Sequence, residues 1–356
     1  MYIHHPSCHH KRAALEMGAG ASAGITAAAK AASPTELSAV LTGLPAAERL
    51  KLSRALHGCL GRPAVRHRAP APKLIAVDGN GTLLKADGVS VSDYSRAVIQ
   101  KVQERGIPVV LATARPFERA KATCEQAGMT QYVVTENGAR AVSIAEGCVL
   151  FESWLEGPEA AKLLRRIREA KPGQCAFVQL VKEGGLIEDS HPWLQNEGQR
   201  SVATELSWHV VPDLVETLEG GARCAKAYVT VPESADFNAT LGELRAAIGE
   251  GWEVRRIQTV VPGCSNTCDV QSTRVNEADG IAGLCAALKI PTEHVWAFGD
   301  DANDVRMLTE MGWGVRMANH KPQLQGIGND VTQFSNEEDG VARYLEAEIL
   351  DGGACV

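Results

Sequence analysis

The chain has 356 residues, a formal charge of −7 and a sequence pI near 5.9. That charge leaves no basic surplus to neutralise phosphates, which excludes a general nucleic-acid binder, and no apolar run approaches the ~20 residues of a membrane span. The length suffices for two domains, and 45% hydrophobic with 22% charged residues is ordinary for a water-soluble globular chain.

The ten cysteines are scattered, and most fall inside predicted strands and helices. They read as small apolar core residues of a reducing compartment, so a soluble intracellular protein is expected, in the cytoplasm or an organelle. Residues 1–32 are rich in Ala and Gly and poor in acids, a composition that predicts a disordered or targeting segment such as a transit peptide. Residues 33–72 predict a helical hairpin and linker. Ser33 caps, Pro34 takes the first turn, Glu36 closes the box, and Leu37, Val40, Leu41 and Leu44 mark one face. Its apolar seam must pack on the main domain or on a protein partner.

From Lys73 the pattern is that of an α/β protein. Leu74 to Asp78 is a short apolar run ended by turn residues, the mark of a buried parallel strand. Helices are expected over Ser92 to Arg105 and Pro116 to Ala127, with strands at Ile107 to Ala112 and Tyr132 to Val134. Past Ala139 the rhythm changes to a helix at Pro158 to Ala170, strands at Ala176 to Val181 and Ala225 to Val231, a helix at Phe237 to Ile248, and strands at Val254 to Val261 and Cys268 to Gln271. Two helices over one antiparallel sheet is the reading for 141–264. The helix Glu277 to Leu288 then returns the chain to the first domain, His294 to Phe298 is another strand, and Ser335 to Leu350 closes the fold. The expected class is a doubly wound, mostly parallel α/β core (73–140 and 265–350) with an inserted α+β cap (141–264) and an N-terminal helical extension.

Three core strands end in polar loops. Asp78 is followed by Gly79-Asn80-Gly81-Thr82, Ala112 by Thr113-Ala114-Arg115-Pro116, and Phe298 by Gly299-Asp300-Asp301-Ala302-Asn303-Asp304. Open α/β sheets bind ligands at the carboxyl ends of their strands. A carboxylate nucleophile, a hydroxyl for phosphate and a carboxylate pair for a hard cation make a candidate phosphate site. The pieces KLIAVDGNGTLL, VVLATARP, TENGA, FGDDANDVRML and SNEEDGVARYLE together resemble the haloacid dehalogenase superfamily, specifically its Cof-type phosphatases with a large α/β cap. The resemblance spans Lys73 to Leu345.

It implies a Mg²⁺-dependent phosphatase of small phosphorylated metabolites, such as sugar phosphates, working through an aspartyl-phosphate on Asp78. It also assigns phosphate holding to Thr113, substrate contacts to Gly81, Thr82, Arg115 and Asn137, and metal binding to Asp78, the Asn80 carbonyl, Asp300, Asn303 and Asp304. Two positions depart from the family. Asn80 stands where an Asp serves as general acid and base, and Glu277 stands where the third motif presents a Lys, the residue that Asp304 normally holds. Losing a general acid costs ~10²–10⁴ in rate. A cation ~4 Å from a phosphate is worth ~4 kcal/mol at an effective dielectric of ~20, and Glu inverts its sign. Attenuated catalysis is therefore expected, with a catalytically silent binding or scaffold protein as the alternative.

Overall fold

The computed structural model describes residues 69–352 apart from 171–174, 181–183, 192–193, 195–196, 206–207, 232–235 and 258–266. The expectations for 1–32, and for the hairpin up to residue 68, lie outside the described residues.

Apolar, β-branched runs form the core strands. β1 (Leu74–Asp78) is buried along its whole length. α1 (Asp93–Glu104) follows, capped by the Ser92 side chain, then β2 (Val109–Ala112) and α2 (Phe117–Ala127), which Gly128 ends in the left-handed conformation that a glycine adopts at no steric cost. β3 (Tyr132–Thr135), β4 (Arg140–Ser143) and β5 (Val149–Glu152) come next. The chain then enters the cap through α3 (Gly157–Ala170), β6 (Cys175–Leu180), β7 (Gly185–Glu188), α4 (Glu197–Glu205), β8 (Trp208–Val211), α5 (Leu214–Glu219), β9 (Cys224–Thr230), α6 (Phe237–Ile248), β10 (Trp252–Ile257) and β11 (Thr267–Ser272). It returns through α7 (Glu277–Leu288), β12 (Val295–Gly299), α8 (Val305–Glu310), β13 (Trp313–Arg316), β14 (Asp330–Val331) and α9 (Gly340–Leu345).

The core sheet has eight strands in the order β14-β13-β12-β1-β2-β3-β4-β5. Pairing is parallel from β14 to β3 and antiparallel from β3 to β5. β1 lies between β12 and β2, with Ile75 opposite Trp296 and Val109. The order therefore reverses at β1, and the carboxyl ends of β1, β2 and β12 open on one crevice, the usual ligand position of such sheets. Alternation along β1 sends Leu74 and Ala76 into a cluster with Val110, Ala112, Val295, Ala297 and the α7 residues Ala278, Ile281 and Leu284. That cluster fixes the α7 N-terminus at the crevice.

The cap sheet runs β10-β11-β9-β6-β7-β8, antiparallel except for the parallel β7–β8 pair. One face is apolar. Ala227, Val229, Val254, Cys268 and Val270 pack with Leu163, Leu164 and Ile167 of α3 and Leu244 and Ile248 of α6. The cap is thus larger than the expected two helices over an antiparallel sheet, adding α4, α5 and a parallel edge pair.

The crossing points also shift. The turn at Gly138 folds β4 back onto β3, with Thr135 opposite Arg140, so residues 140–152 extend the core sheet instead of opening the cap. β11 pairs with β9 and β10, so 267–272 stays with the cap. The two crossings fall near 153 and 273 rather than at 141 and 264. In the closing segment a 3-10 turn (Asn336–Glu338) is separated from α9 by Asp339 in a left-handed conformation (φ 62°), and α9 continues as a π-helical turn over Glu346–Asp351. The Asp339 carboxylate accepts there from Lys85 at 2.8 Å and Ser92 at 2.7 Å. Among the described cysteines 124, 148, 224, 268 and 285, all are free thiols and all but Cys148 are buried, as expected of apolar core residues.

Candidate active site

Asp78 ends β1 at the crevice, 7% exposed. The loop after it closes as a turn, with the Leu84 amide donating to the Gly79 carbonyl at 2.9 Å. Gly81 has φ +78°, and a Cβ there would lie 2.5 Å from Asp300 Oδ2. Only glycine lets the backbone approach that carboxylate so closely. The Thr82 hydroxyl donates to Asp300 Oδ1 at 3.2 Å, tying the loop after β1 to the loop after β12. Thr113, at the end of β2, is buried beside this loop. Its amide donates to Val134 O at 3.0 Å, and its carbonyl accepts from the Asn137 amide at 3.1 Å.

The loop after β12 is organised by Asp304. Its side chain is fully buried, and Oδ2 accepts from the amides of Asp300 at 2.8 Å and Asp301 at 3.0 Å. Asn303 Nδ2 donates to Asp304 Oδ1 at 3.2 Å and to Glu277 Oε2 at 3.4 Å. Glu277 occupies the first turn of α7, whose N-terminus is closed by a capping box between Asn276 and Asp279. That geometry turns the Glu277 carboxyl inward, and it is 2% exposed. Asp78, Glu277 and Asp304 each offer a carboxylate oxygen within 4.8 Å of the other two. Glu277 Oε1 has no hydrogen-bond partner among the described residues.

Three buried carboxylates at this spacing disfavour one another's charge. The Asp78 carboxyl is held well above the usual carboxylate range by burial, then by the charges of Asp304, Glu277 and Asp300. Asp304 is raised by burial and by Glu277. Glu277 is raised by burial, against the opposing pull of Arg255. Asp300 is pushed up to about 6, chiefly by burial.

Asn80, Arg115 and Asn137 are placed differently. Asn80 is exposed, and its Oδ1 accepts from Arg115 Nη2 at 3.0 Å. Arg115 also donates to the Gly88 carbonyl and, through Nη1, to Thr123 at 3.1 Å, so its guanidinium is spent on protein partners. Asn137, in the left-handed region at φ 54°, donates to the cap residue Gln271. The structure therefore brings Asp78, Gly81, Thr82, Thr113, Glu277, Asp300, Asn303 and Asp304 together at the crevice. Arg115 lies against the loop after β1, and Asn137 lies at the junction with the cap.

Above the crevice stand cap residues that the sequence reading missed. Tyr228 of β9 pairs opposite Asp269 of β11, and Arg255 of β10 opposite the same Asp269. Lys226, Tyr228, Asp269 and Gln271 thus share the face of the sheet opposite its apolar layer. The signal was present in CAKAYVT and TCDVQS, where polar or large residues alternate with Ala, Val and Cys.

For a hard cation, Asp78 and Asp300 offer carboxylate oxygens and Asn80 a backbone carbonyl, and the glycine cradle at Gly81 leaves the space beside Asp300 that a side chain would fill. The donor set fits Mg²⁺. The trio Asp78, Glu277 and Asp304 is a second all-oxygen set.

Comparison with known proteins agrees with this architecture. A solved haloacid dehalogenase-like hydrolase from Bacteroides thetaiotaomicron superposes with a TM-score of 0.60 at 21% identity, over 78% of this chain and all of that one. A 5-amino-6-(5-phospho-D-ribitylamino)uracil phosphatase of Bacillus subtilis is 26% identical over 278 residues, covering 77% of this chain and 97% of that protein. The HMP-PP phosphatase of Klebsiella pneumoniae is 25% identical over 253 residues, covering 71% and 86% respectively. The family model for haloacid dehalogenase-like hydrolases matches residues 75–345, and the chain belongs to that family.

Proposed function

We propose that this chain is a Mg²⁺-dependent phosphatase of small phosphorylated metabolites whose turnover is held down by Asn80 and Glu277. The similarity to phosphatases along most of the chain supports the reaction class. The observation that carries the attenuation is the burial of Glu277 within 4.8 Å of both Asp78 and Asp304. In this reading Asp78 attacks phosphorus and the ester oxygen departs, giving an aspartyl-phosphate that water then hydrolyses. The Thr113 hydroxyl and the Thr82 amide hold phosphoryl oxygens. Asp78, Asp300 and the Asn80 carbonyl would hold Mg²⁺, which when bound neutralises charge on the transferring group.

Two features slow these steps. The nucleophile must be ionised to attack, yet burial and its anionic neighbours hold the Asp78 carboxyl well above the usual carboxylate range and so oppose that form. The leaving oxygen also needs a proton, and the Asn80 amide, held by Arg115, has none to give near neutral pH. The same two residues favour a second reading, a phosphate-ester binding protein without turnover.

Turnover of an aryl phosphate with and without Mg²⁺, compared with Asp78→Ala, tests the proposal. A Mg²⁺-stimulated rate that Asp78→Ala abolishes is expected. A rate at background in the wild type, with retained binding of a phosphate ester by calorimetry, selects the second reading.

A further inference from the structure

We propose that Lys226, on the cap strand β9, is the cation that receives the substrate phosphate, so that the phosphate site is complete only with the cap seated on the core. The proposal rests on the phosphatase reading above. A site for a phosphate dianion must set fixed positive charge against it. The core lines this crevice with four buried carboxylates, Asp78, Glu277, Asp300 and Asp304. Its guanidinium at the loop after β2, Arg115, is bound to Asn80, Gly88 and Thr123. Mg²⁺ on Asp78 and Asp300 would still leave the carboxyls of Glu277 and Asp304 within 4.8 Å of the nucleophile.

The core residues Lys321 and His320 act on Asp300, and the cap carries a further cation. Lys226 is 3% exposed, in the middle of a sheet, where a lone ammonium costs several kcal/mol. It crosses from cap to core, and its Nζ donates to the Ala114 carbonyl at 3.1 Å. Ala114 follows Thr113, so the ammonium reaches the loop that carries the hydroxyl assigned to a phosphoryl oxygen. On the cap, the Asp269 carboxylate pairs with Nζ at 3.9 Å and Tyr228 shares a hydrogen bond with the ammonium. Burial pulls the Lys226 ammonium down, but Tyr228, Asp269 and Glu136 outweigh it and keep the side chain protonated. With Arg255, this ammonium also acts as a positive charge on Glu277.

A structural role competes with this one. Lys226 could serve only to latch the cap through Ala114. The two roles separate on Lys226→Gln, which keeps a donor for the carbonyl and removes the charge. Calorimetric titration of inorganic phosphate into the full chain with Mg²⁺ present reads the difference. Lys226→Gln and Lys226→Met should each weaken phosphate at least about tenfold, and Lys226→Arg should stay within about threefold of wild type. Wild-type affinity in Lys226→Gln overturns the proposal, whether or not Lys226→Met loses binding; either neutral variant that folds suffices, because undiminished phosphate affinity without the charge is incompatible with the role. If neither neutral variant folds, the Lys226→Arg arm decides: a loss beyond about tenfold there shows that geometry, not charge, is what position 226 supplies. No phosphate binding by the wild type removes the phosphatase reading along with this one, whereas unchanged binding in the neutral variants overturns this assignment alone.

Discussion

Replacing Glu277 with Lys, alone and together with Asn80→Asp, tests the central electrostatic claim most directly. The Glu277 carboxyl lies within 4.8 Å of that of Asp78. Two unit charges at that distance interact by ~3.5 kcal/mol at an effective dielectric of ~20. A cation at this position favours the ionised form of Asp78, so the pKa of the nucleophile must fall. Glu277 is itself shifted toward its neutral form, so the repulsion it now exerts is less than a full charge would give. Counting only the attraction gained, ~3.5 kcal/mol corresponds to a drop of about two to three pKa units. The acidic limb of the pH–rate profile for an aryl phosphate should move down by about two units in Glu277→Lys. The added Asn80→Asp restores a proton donor worth at least about a hundredfold in turnover. The assay is steady-state hydrolysis with Mg²⁺ between pH 4 and 9, with melting curves to confirm folding. A folded double variant no faster than about threefold over wild type, with its acidic limb unmoved, would refute the reasoning.

Gly138 has φ +91°, and a Cβ there would lie 1.8 Å from the Asn276 carbonyl; Gly138→Ala should cost ~1–3 kcal/mol, read by chemical denaturation. Gly81→Ala places its methyl against Asp300 and should weaken Mg²⁺ binding measured by calorimetry, with a smaller change in melting temperature than in Gly138→Ala. The folded pKa of Asp300 is raised from 3.8 to about 6. Its contribution to stability is therefore fully present below the lower value and lost as pH rises through the upper one. The metal-free protein should thus melt a few degrees lower at pH 7 than at pH 4.5, and Asp300→Asn should flatten that slope. Mg²⁺, which neutralises the same carboxylates, should raise the melting temperature of the wild type near neutral pH and leave Asp300→Asn unmoved.

Local chemistry in the sequence settles a good part of this protein. Leu74 to Asp78 reads as a buried strand, because four consecutive apolar positions ending at a carboxylate and a glycine turn leave no solvent face. Phe237 to Ile248 and Glu277 to Leu288 form helices at the expected bounds, since Asp236 and Asn276 cap them and their apolar positions recur at helical spacing. The loops carrying Asp78, Thr113 and Asp300 converge because parallel strands share one carboxyl edge, a consequence of topology that strand order alone implies. What the sequence leaves undecided is whatever depends on partners distant in the chain. Arg140 to Glu152 joins the core sheet because Gly138 turns it back onto β3, which no local propensity records. The surroundings of Glu277 are set by Asp78 and Asp304 packing around the α7 N-terminus, so its burial and its effect on the nucleophile appear only in the folded chain. Lys226 is the clearest case. On its own strand it is one polar residue in an alternating pattern, and only the seating of the cap sheet on the core places its ammonium beside the Ala114 carbonyl, because long-range docking and not sequence spacing brings those two atoms together.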